Sequence, residues 1–323
     1  MSPLKAQRAV NGDIITKGVK IIARNLKYQF LTAINHHFKE GMDKHSVKLS
    51  GQMDGTRIFS YSDRSNLVDL ASGFAEYMKQ AYPQIKEIRQ IKPDHIQSFL
   101  ATKSGTVTQA TLSQYGSRFN KLERLVNDSY KSCNVDFHSV VVPVSSKGTS
   151  KVRTQMLAAS DYHTLLNSTT NTNLRNALVL SYCGGLRAAE CSKLQAKDWN
   201  TDSGILTIVD SKGKRSREVK VPQQHIPAVN AVMGSSTGRI CDCQTESLQK
   251  AFRRQLEACG LTDTYGKSGA FHMARKAYAT NLYKECRAQG MSVQNSLSTV
   301  SRSLGHGANR NELMKQYICC PIQ

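Results

Sequence analysis

Apolar residues recur along the first half of the chain at the spacing of a single helix face. Leu26, Phe30, Ile34 and Phe38 stand four apart, and Leu67, Leu70, Phe74, Tyr77 and Ala81 alternate steps of three and four. A third run, Leu112, Tyr115, Phe119, Leu122, Val126 and Tyr130, keeps that rhythm for about five turns. Pro93 marks the first turn of a further helix carrying Ile96, Phe99 and Leu100, because a helix start leaves its amide hydrogens unpaired anyway. These segments predict about four helices, each with one apolar stripe, packed as a small bundle.

The periodicity lapses over residues 143–154, PVSSKGTSKVRT, a Ser/Thr/Gly-rich and basic stretch that reads as a linker. Ser160 is the expected N-cap of a new helix through Tyr162, Leu165 and Leu166. Further helices are expected over 174–183, 187–195, 245–259 and 273–287. Between them, residues 204–222 read as a hairpin. The β-prone run from Ile205 to Val209 is followed by a basic turn with Gly213 as its flexible point, and then by Val219 and Val221 alternating with polar residues. The expected fold is therefore mainly α with a small β-sheet. It has a helical domain over 1–142, a linker over 143–154 and a second domain over 155–323.

Charge narrows the functional classes. Lysine and arginine number 44 against 24 acidic residues, a formal net charge of +20 spread along the chain. A folded protein with that surplus attracts polyanions, foremost nucleic acid. The outward positions of the third helical run include Arg118, Lys121, Arg124 and Lys131, either a solvated face or one that touches phosphates. No apolar run approaches the roughly 18 residues of a membrane span, and the first residues lack the apolar core of a secretion signal. The expected location is the cytoplasm, on the nucleoid when bound to DNA. The nine cysteines show no zinc-binding spacing and read as reduced, packed thiols, so neither metal nor cofactor is expected.

Four short segments carry possible chemistry: Gly185-Leu186-Arg187-Ala188-Ala189-Glu190, the hairpin lysine Lys212, His272-Met273-Ala274-Arg275, and Leu304-Gly305-His306 followed by Tyr317. Each has an ordinary reading by itself. Arg187 pairs with Glu190 on a helix surface, Leu-Gly-His ends a helix at a C-cap glycine, and a late tyrosine packs on a core. Taken in order they resemble the tyrosine recombinase (phage integrase) signature of an arginine, a β-hairpin lysine, His-x-x-Arg, Leu-Gly-His and a terminal tyrosine. Leu194 and Trp199 after the first arginine, Val221-Pro222 after the basic turn and Ala279-Thr280 after the second arginine fit the same pattern. The resemblance covers about residues 155–320 and extends more weakly to Ile96–Leu100 and the long helix after them.

What the resemblance implies is a two-domain clamp on duplex DNA, a core-binding bundle plus a catalytic domain, that cleaves and rejoins strands through a 3′-phosphotyrosyl intermediate. It makes Tyr317 the nucleophile and His272 the base that takes its proton. Arg187 and Arg275 become the clamps on the non-bridging oxygens, His306 a further donor to that phosphate, and Lys212 the acid for the departing 5′ oxygen. The residue types suit the task. A phenol, with a reference pKa near ~10, needs help to ionise, and guanidinium forks match phosphate oxygens as lysine cannot. Lys214 is the alternative acid, and Lys214 and Arg215 join Arg118, Lys121 and Arg124 as expected DNA contacts. Double-stranded DNA, a homotetramer on two paired sites and accessory DNA-bending proteins are the implied partners. A type IB topoisomerase-like enzyme and a DNA-binding regulator without catalysis are the competing readings. Two features depart from the pattern: the eleven-residue step from His306 to Tyr317, and the six residues after Tyr317.

Overall fold

The computed structural model describes residues 25–149, 155–211, 216–234, 237–266, 270–308 and 310–323. It divides into two compact units, Met1–Lys151 and Val152–Gln323. Residues 1–20, Lys212, Lys214 and Arg215 of the sequence reading lie outside the described residues.

The first unit is helical: α1 (Leu26–His36), α2 (Lys44–Leu49), α3 (Tyr61–Ala81), α4 (Pro93–Ser104) and α5 (Gln109–Ser129). The expected stripes form its core. Phe30, Phe74, Phe99 and Phe119 are all buried, and Phe74 meets the other three rings edge-on at centroid distances of 6.1, 5.3 and 5.1 Å, the arrangement that ring quadrupoles favour. Local chemistry sets the starts. The Asn25 side chain accepts from the Tyr28 amide, and the Ser60 hydroxyl from that of Asp63. Phe38, expected in the first helix, lies beyond it and pairs through a parallel bridge with buried Ile58. Residues 143–149 depart from a free linker. Ser145 is buried and donates to the Val107 carbonyl, and the Gly148 carbonyl accepts from Gln109, tying this segment to the α4–α5 corner.

The second unit runs α6 (Ala159–Ser168), α7 (Thr172–Gly184), α8 (Ala188–Cys191), β1 (Trp199–Asn200), β2 (Ile205–Ile208), β3 (Arg217–Lys220), α9 (Ile226–Met233), α10 (Thr245–Ala258), α11 (Thr262–Tyr265), α12 (His272–Ala288), α13 (Val293–Ser303) and α14 (Asn311–Met314). Among the described residues the strands form one antiparallel sheet in the order β1-β2-β3, with Trp199 opposite Leu206 and Leu206 opposite Val219. Leu206, Ile208, Val219 and Val221 turn inward to one core. Val209 drops out of the strand and is exposed, ahead of Asp210 at φ 48°.

Two local expectations are corrected. The helix expected from Ser160 starts at Ala159 with Ala158 as its cap, and the Tyr265 hydroxyl accepts the Ala158 amide. The helix expected over 187–195 is only the single turn α8. Residues 194–196 are drawn instead into hydrogen bonds with 238–240, Ile240 N to Leu194 O and Ala196 N to Gly238 O. The two-residue strand β1 has no period to read in the sequence.

Helix α12 organises this unit. Every residue from Met273 to Thr280 is buried, including Arg275 and Lys276. A helix buried all round cannot leave charges unpartnered, so α12 draws polar groups from its neighbours toward itself.

Candidate active site

The site begins with how α7 ends. Gly185 adopts a left-handed conformation (φ 66°, ψ 27°) and donates back to the Leu180 and Ser181 carbonyls, a C-cap that turns the chain sharply. Leu186 then enters the core, and Arg187 becomes the N-cap of α8. Its amide donates to Glu190 Oε2 at 2.8 Å, while its Nη1 reaches Glu190 Oε1 at 2.7 Å. The ordinary ion pair read from the sequence therefore exists, but inside the protein: the Glu190 side chain is only 3% exposed.

Arg275 lies one turn into α12 and is wholly buried. Its Nη1 donates to the Gly185 carbonyl and its Nη2 to the Leu304 carbonyl at 2.6 Å, so it joins the two sharp turns that carry Arg187 and His306. Its Nε has no hydrogen-bond partner among the described residues. Such a buried donor costs about 1–3 kcal/mol and marks a place where something binds or strain is held. Burial and the neighbouring Arg187 charge push the guanidinium down to about 9, which leaves it a cation at neutral pH.

Helix α13 ends in a turn at Leu304. Gly305 stands at φ 73°, and the His306 amide returns to the Ser301 carbonyl. The C-cap reading of Leu-Gly-His and the functional one thus coincide, since the cap delivers His306 to the arginines. His306 Nε2 lies 3.1 Å from Arg187 Nη2 and 3.3 Å from the Tyr317 hydroxyl. A guanidinium can only donate, so in the bond to Arg187 this nitrogen is the acceptor, and the phenol oxygen lies within hydrogen-bond distance of the same atom.

Tyr317 follows the short helix α14, eleven residues after His306. Its amide donates to the Met314 carbonyl, Met314 and Ile318 anchor it in the core, and Lys276 Nζ holds the Gln316 carbonyl at 2.7 Å. Beyond it, the Cys319 amide donates to Thr280 Oγ1, and Tyr283 and Arg287 hold the Gln323 carbonyl, so the last residues lie along α12 of the same chain. The Tyr317 ring sits over Arg275, with Cζ 5.8 Å from its centroid.

His272 meets the same ring edge-on at 5.1 Å. Burial, followed by the charges of Arg275, Lys276 and Arg187, pushes it down to about 4, so it is neutral at physiological pH. The imidazole within hydrogen-bond distance of the phenol is nevertheless His306, which the sequence reading set against the phosphate.

Two participants were not singled out as site residues in the sequence. Glu190 is buried and Arg217, on β3, forks both of its oxygens at 2.9 and 2.8 Å, with Nε donating to the Ser303 carbonyl. Burial works to raise the Glu190 carboxyl, but the Arg217 fork and charge, the Arg187 amide and Ser211 override it. Together they hold it well below the usual carboxylate range. The only signal for Arg217 was its place in the basic hairpin. Ser211, Ser216, Arg217, Arg302, Gly305 and Gly307 line an adjoining depression of about 230 Å³.

Arg187, His272, Arg275, His306 and Tyr317 thus converge, while Lys212 lies outside the described residues. Of the expected DNA contacts, Arg118, Lys121 and Arg124 are in the first unit, and Lys214 and Arg215 lie outside the described residues. Lys121 is tied to Asp63 at 2.6 Å, Arg118 reaches Gln114, and Arg124 is exposed. Among the described residues, the groups able to gather three metal-binding side chains are His36/His37/Asp128 and Glu123/Asp136/His138, neither of them in the arginine cluster. No helix there is long and apolar enough to cross a membrane.

The sequence profile of the phage integrase family matches residues 149–317, more than half of the chain. The chain belongs to the phage integrase family. Solved tyrosine recombinases share its fold. The XerH site-specific recombinase, in a post-cleavage complex with a palindromic difH substrate, matches with a TM-score of 0.64 at 16% identity, covering 94% of this chain and 95% of that one. The Tn1549 transposon integrase, in complex with a circular intermediate DNA, gives 0.58 at 12% identity, with 91% and 94% covered. A lambda integrase dimer bound to a COC′ core site gives 0.57 at 16%, with 85% and 77% covered. No curated protein matches in sequence.

Proposed function

We propose that this phage integrase family protein is a site-specific DNA recombinase that uses Tyr317 as a covalent strand carrier. The observation that carries the reading is the meeting of two guanidinium groups, two imidazoles and one phenol from four separate segments around a single point. The phenolic oxygen attacks the scissile phosphorus, the new P–O bond to Tyr317 replaces the P–O bond to the 5′ oxygen, and the 3′ phosphate stays on the enzyme. Because one ester replaces another of similar energy, no nucleotide is consumed. Arg187 and Arg275 balance the charge that builds on the non-bridging oxygens. The phosphate takes the place of the Tyr317 ring over Arg275 and supplies an acceptor for its unpartnered Nε. The phenolic proton passes to the imidazole pair, of which His272 is held neutral by its surroundings and His306 Nε2 already faces the hydroxyl. Lys212 protonates the departing 5′ oxygen.

By analogy with its fold relatives, duplex DNA is the substrate. The first unit, with Arg118 and Arg124, serves as the core-binding domain, and Lys214 and Arg215 extend the contact from the hairpin. The second unit is the catalytic domain. Four copies on two paired sites, with DNA-bending proteins where the site demands them, complete the assembly.

The test is to incubate the protein with fragmented genomic DNA, denature it, and sequence the DNA that remains attached. Covalent attachment at a defined sequence is expected from the wild type and none from Tyr317→Phe, whose non-covalent affinity stays within about threefold, since surface-level binding comes from other groups. Adducts that persist in Tyr317→Phe would remove the assignment.

A further inference from the structure

Among the described residues, Glu190 is the one carboxylate beside three guanidinium groups. Its Oε1 accepts from Arg187 Nη1, Arg217 Nη1 and the Ser211 hydroxyl, and its Oε2 from the Arg187 amide and Arg217 Nη2, with Arg275 Nη1 at 3.8 Å. Arg187 therefore meets the carboxylate through only one of its Nη groups, and the other turns to His306. Arg217 commits each of its three nitrogens to the protein rather than to a substrate. Both Nη groups fork Glu190, Nε holds Ser303, and its stem lies so close to Gly305 that a Cβ there would be 3.0 Å from Cδ.

We propose that Arg217 is a positioning residue that saturates Glu190, so that Arg187 keeps one face of its guanidinium, and its uncompensated charge, for a phosphate oxygen. The inference rests on the recombinase reading for its functional meaning. Physically, a carboxylate that is 3% exposed cannot remain half-paired. Without Arg217, Arg275 Nη1 at 3.8 Å is already held by the Gly185 carbonyl, which leaves the Arg187 guanidinium to complete the fork, its Nη2 leaving His306 and the phosphate. The cluster would also lose one positive charge where the transition state gathers negative charge.

This makes an unusual prediction about a double variant. Arg217→Gln slows formation of the covalent Tyr317–DNA adduct by about a hundredfold, and adding Glu190→Gln recovers at least about tenfold of that loss, a coupling of the size contacting residues show. The second change removes the carboxylate that captures Arg187. A merely structural role for Arg217 predicts that the thermal midpoint falls and recovers in step with the rate, because removing both partners relieves the unpaired buried charge, whereas the proposal predicts the recovery in rates measured where all three proteins are fully folded. A double variant no faster than Arg217→Gln would overturn the proposal. The same comparison with Arg217→Lys, which retains a buried cation and hence the fold, covers the case in which the glutamine variant does not fold. A crystal structure of Arg217→Lys reads the inference without turnover. Arg187 forked on both oxygens of Glu190 supports it, and Arg187 still turned to His306 overturns it. Failure of the wild type to form any adduct would bear on the recombinase reading alone.

Discussion

A histidine placed among cations has its protonation decided by its surroundings. His272 faces Arg275, Lys276 and Arg187 in a largely desolvated position and is pushed down to about 4, against 6.5 when exposed. Above pH 6.5 the ring is neutral in both the folded and unfolded chain, so it does not affect the balance between them. Between pH 6.5 and about 4 the unfolded chain takes up a proton that the folded one refuses, so stability falls by about 1.4 kcal/mol per pH unit. Below that window both forms are charged and the slope from this residue vanishes. Urea unfolding of the wild type and His272→Gln from pH 7.5 to 4.5 should therefore give curves that converge as the pH falls. Parallel curves would mean that the ring is solvated and no ready proton acceptor. The sequence made the identity of His272 and Arg275 legible, since a His-x-x-Arg pair shares a helix face. It did not show that Arg275 goes fully inside, because that depends on carbonyls offered by turns some 30 and 90 residues away in sequence.

Elements with a long apolar stripe were readable; those set by a partner distant in sequence were not. Helices α3, α5, α10 and α12 follow their periodicity closely, whereas α8 is cut short by pairing with residues 238–240 and β1 exists only through β2. The Glu190–Arg217 fork was hidden for the same reason, as it joins α8 to β3 across 27 positions. The turn after α7 offers a direct test of how tightly such an element is specified. A Cβ on Gly185 would lie 2.4 Å from Tyr278 Cδ1 and sit at φ 66°, while Gly260, at φ 67°, has open space around it. Gly260→Ala should cost only the backbone penalty, about 1–2 kcal/mol. Gly185→Ala adds overpacking of about 1–3 kcal/mol against a ring with nowhere to move. It also disturbs the carbonyl that Arg275 holds, so it should lower the thermal midpoint further and abolish adduct formation. Equal midpoints for the two variants would show that Tyr278 yields freely.

At the scale of the molecule, the basic surplus divides evenly between the two units, and each unit has its own hydrophobic core. Arg187, Arg217 and Arg275 against Glu190 leave a surplus of two positive charges, a small share of the net +20. Affinity for DNA must then come largely from exposed lysines and arginines on both units, each phosphate so neutralised adding about −0.9 to the slope of log affinity against log salt. The isolated second unit, residues 152–323, should fold, since its core closes without help from the first. It should bind the same duplex with a slope about half that of the full chain, and still attach covalently to it at low salt, where weak binding suffices. Filter binding of both proteins between about 50 and 300 mM salt measures the two slopes. Equal slopes would place the whole electrostatic contact on the second unit and deny the first unit a share in holding DNA. A fragment that binds with the shallower slope yet forms no adduct would show instead that the helical unit is needed to bring the phosphate to Arg187 and Arg275, rather than only to raise its local concentration.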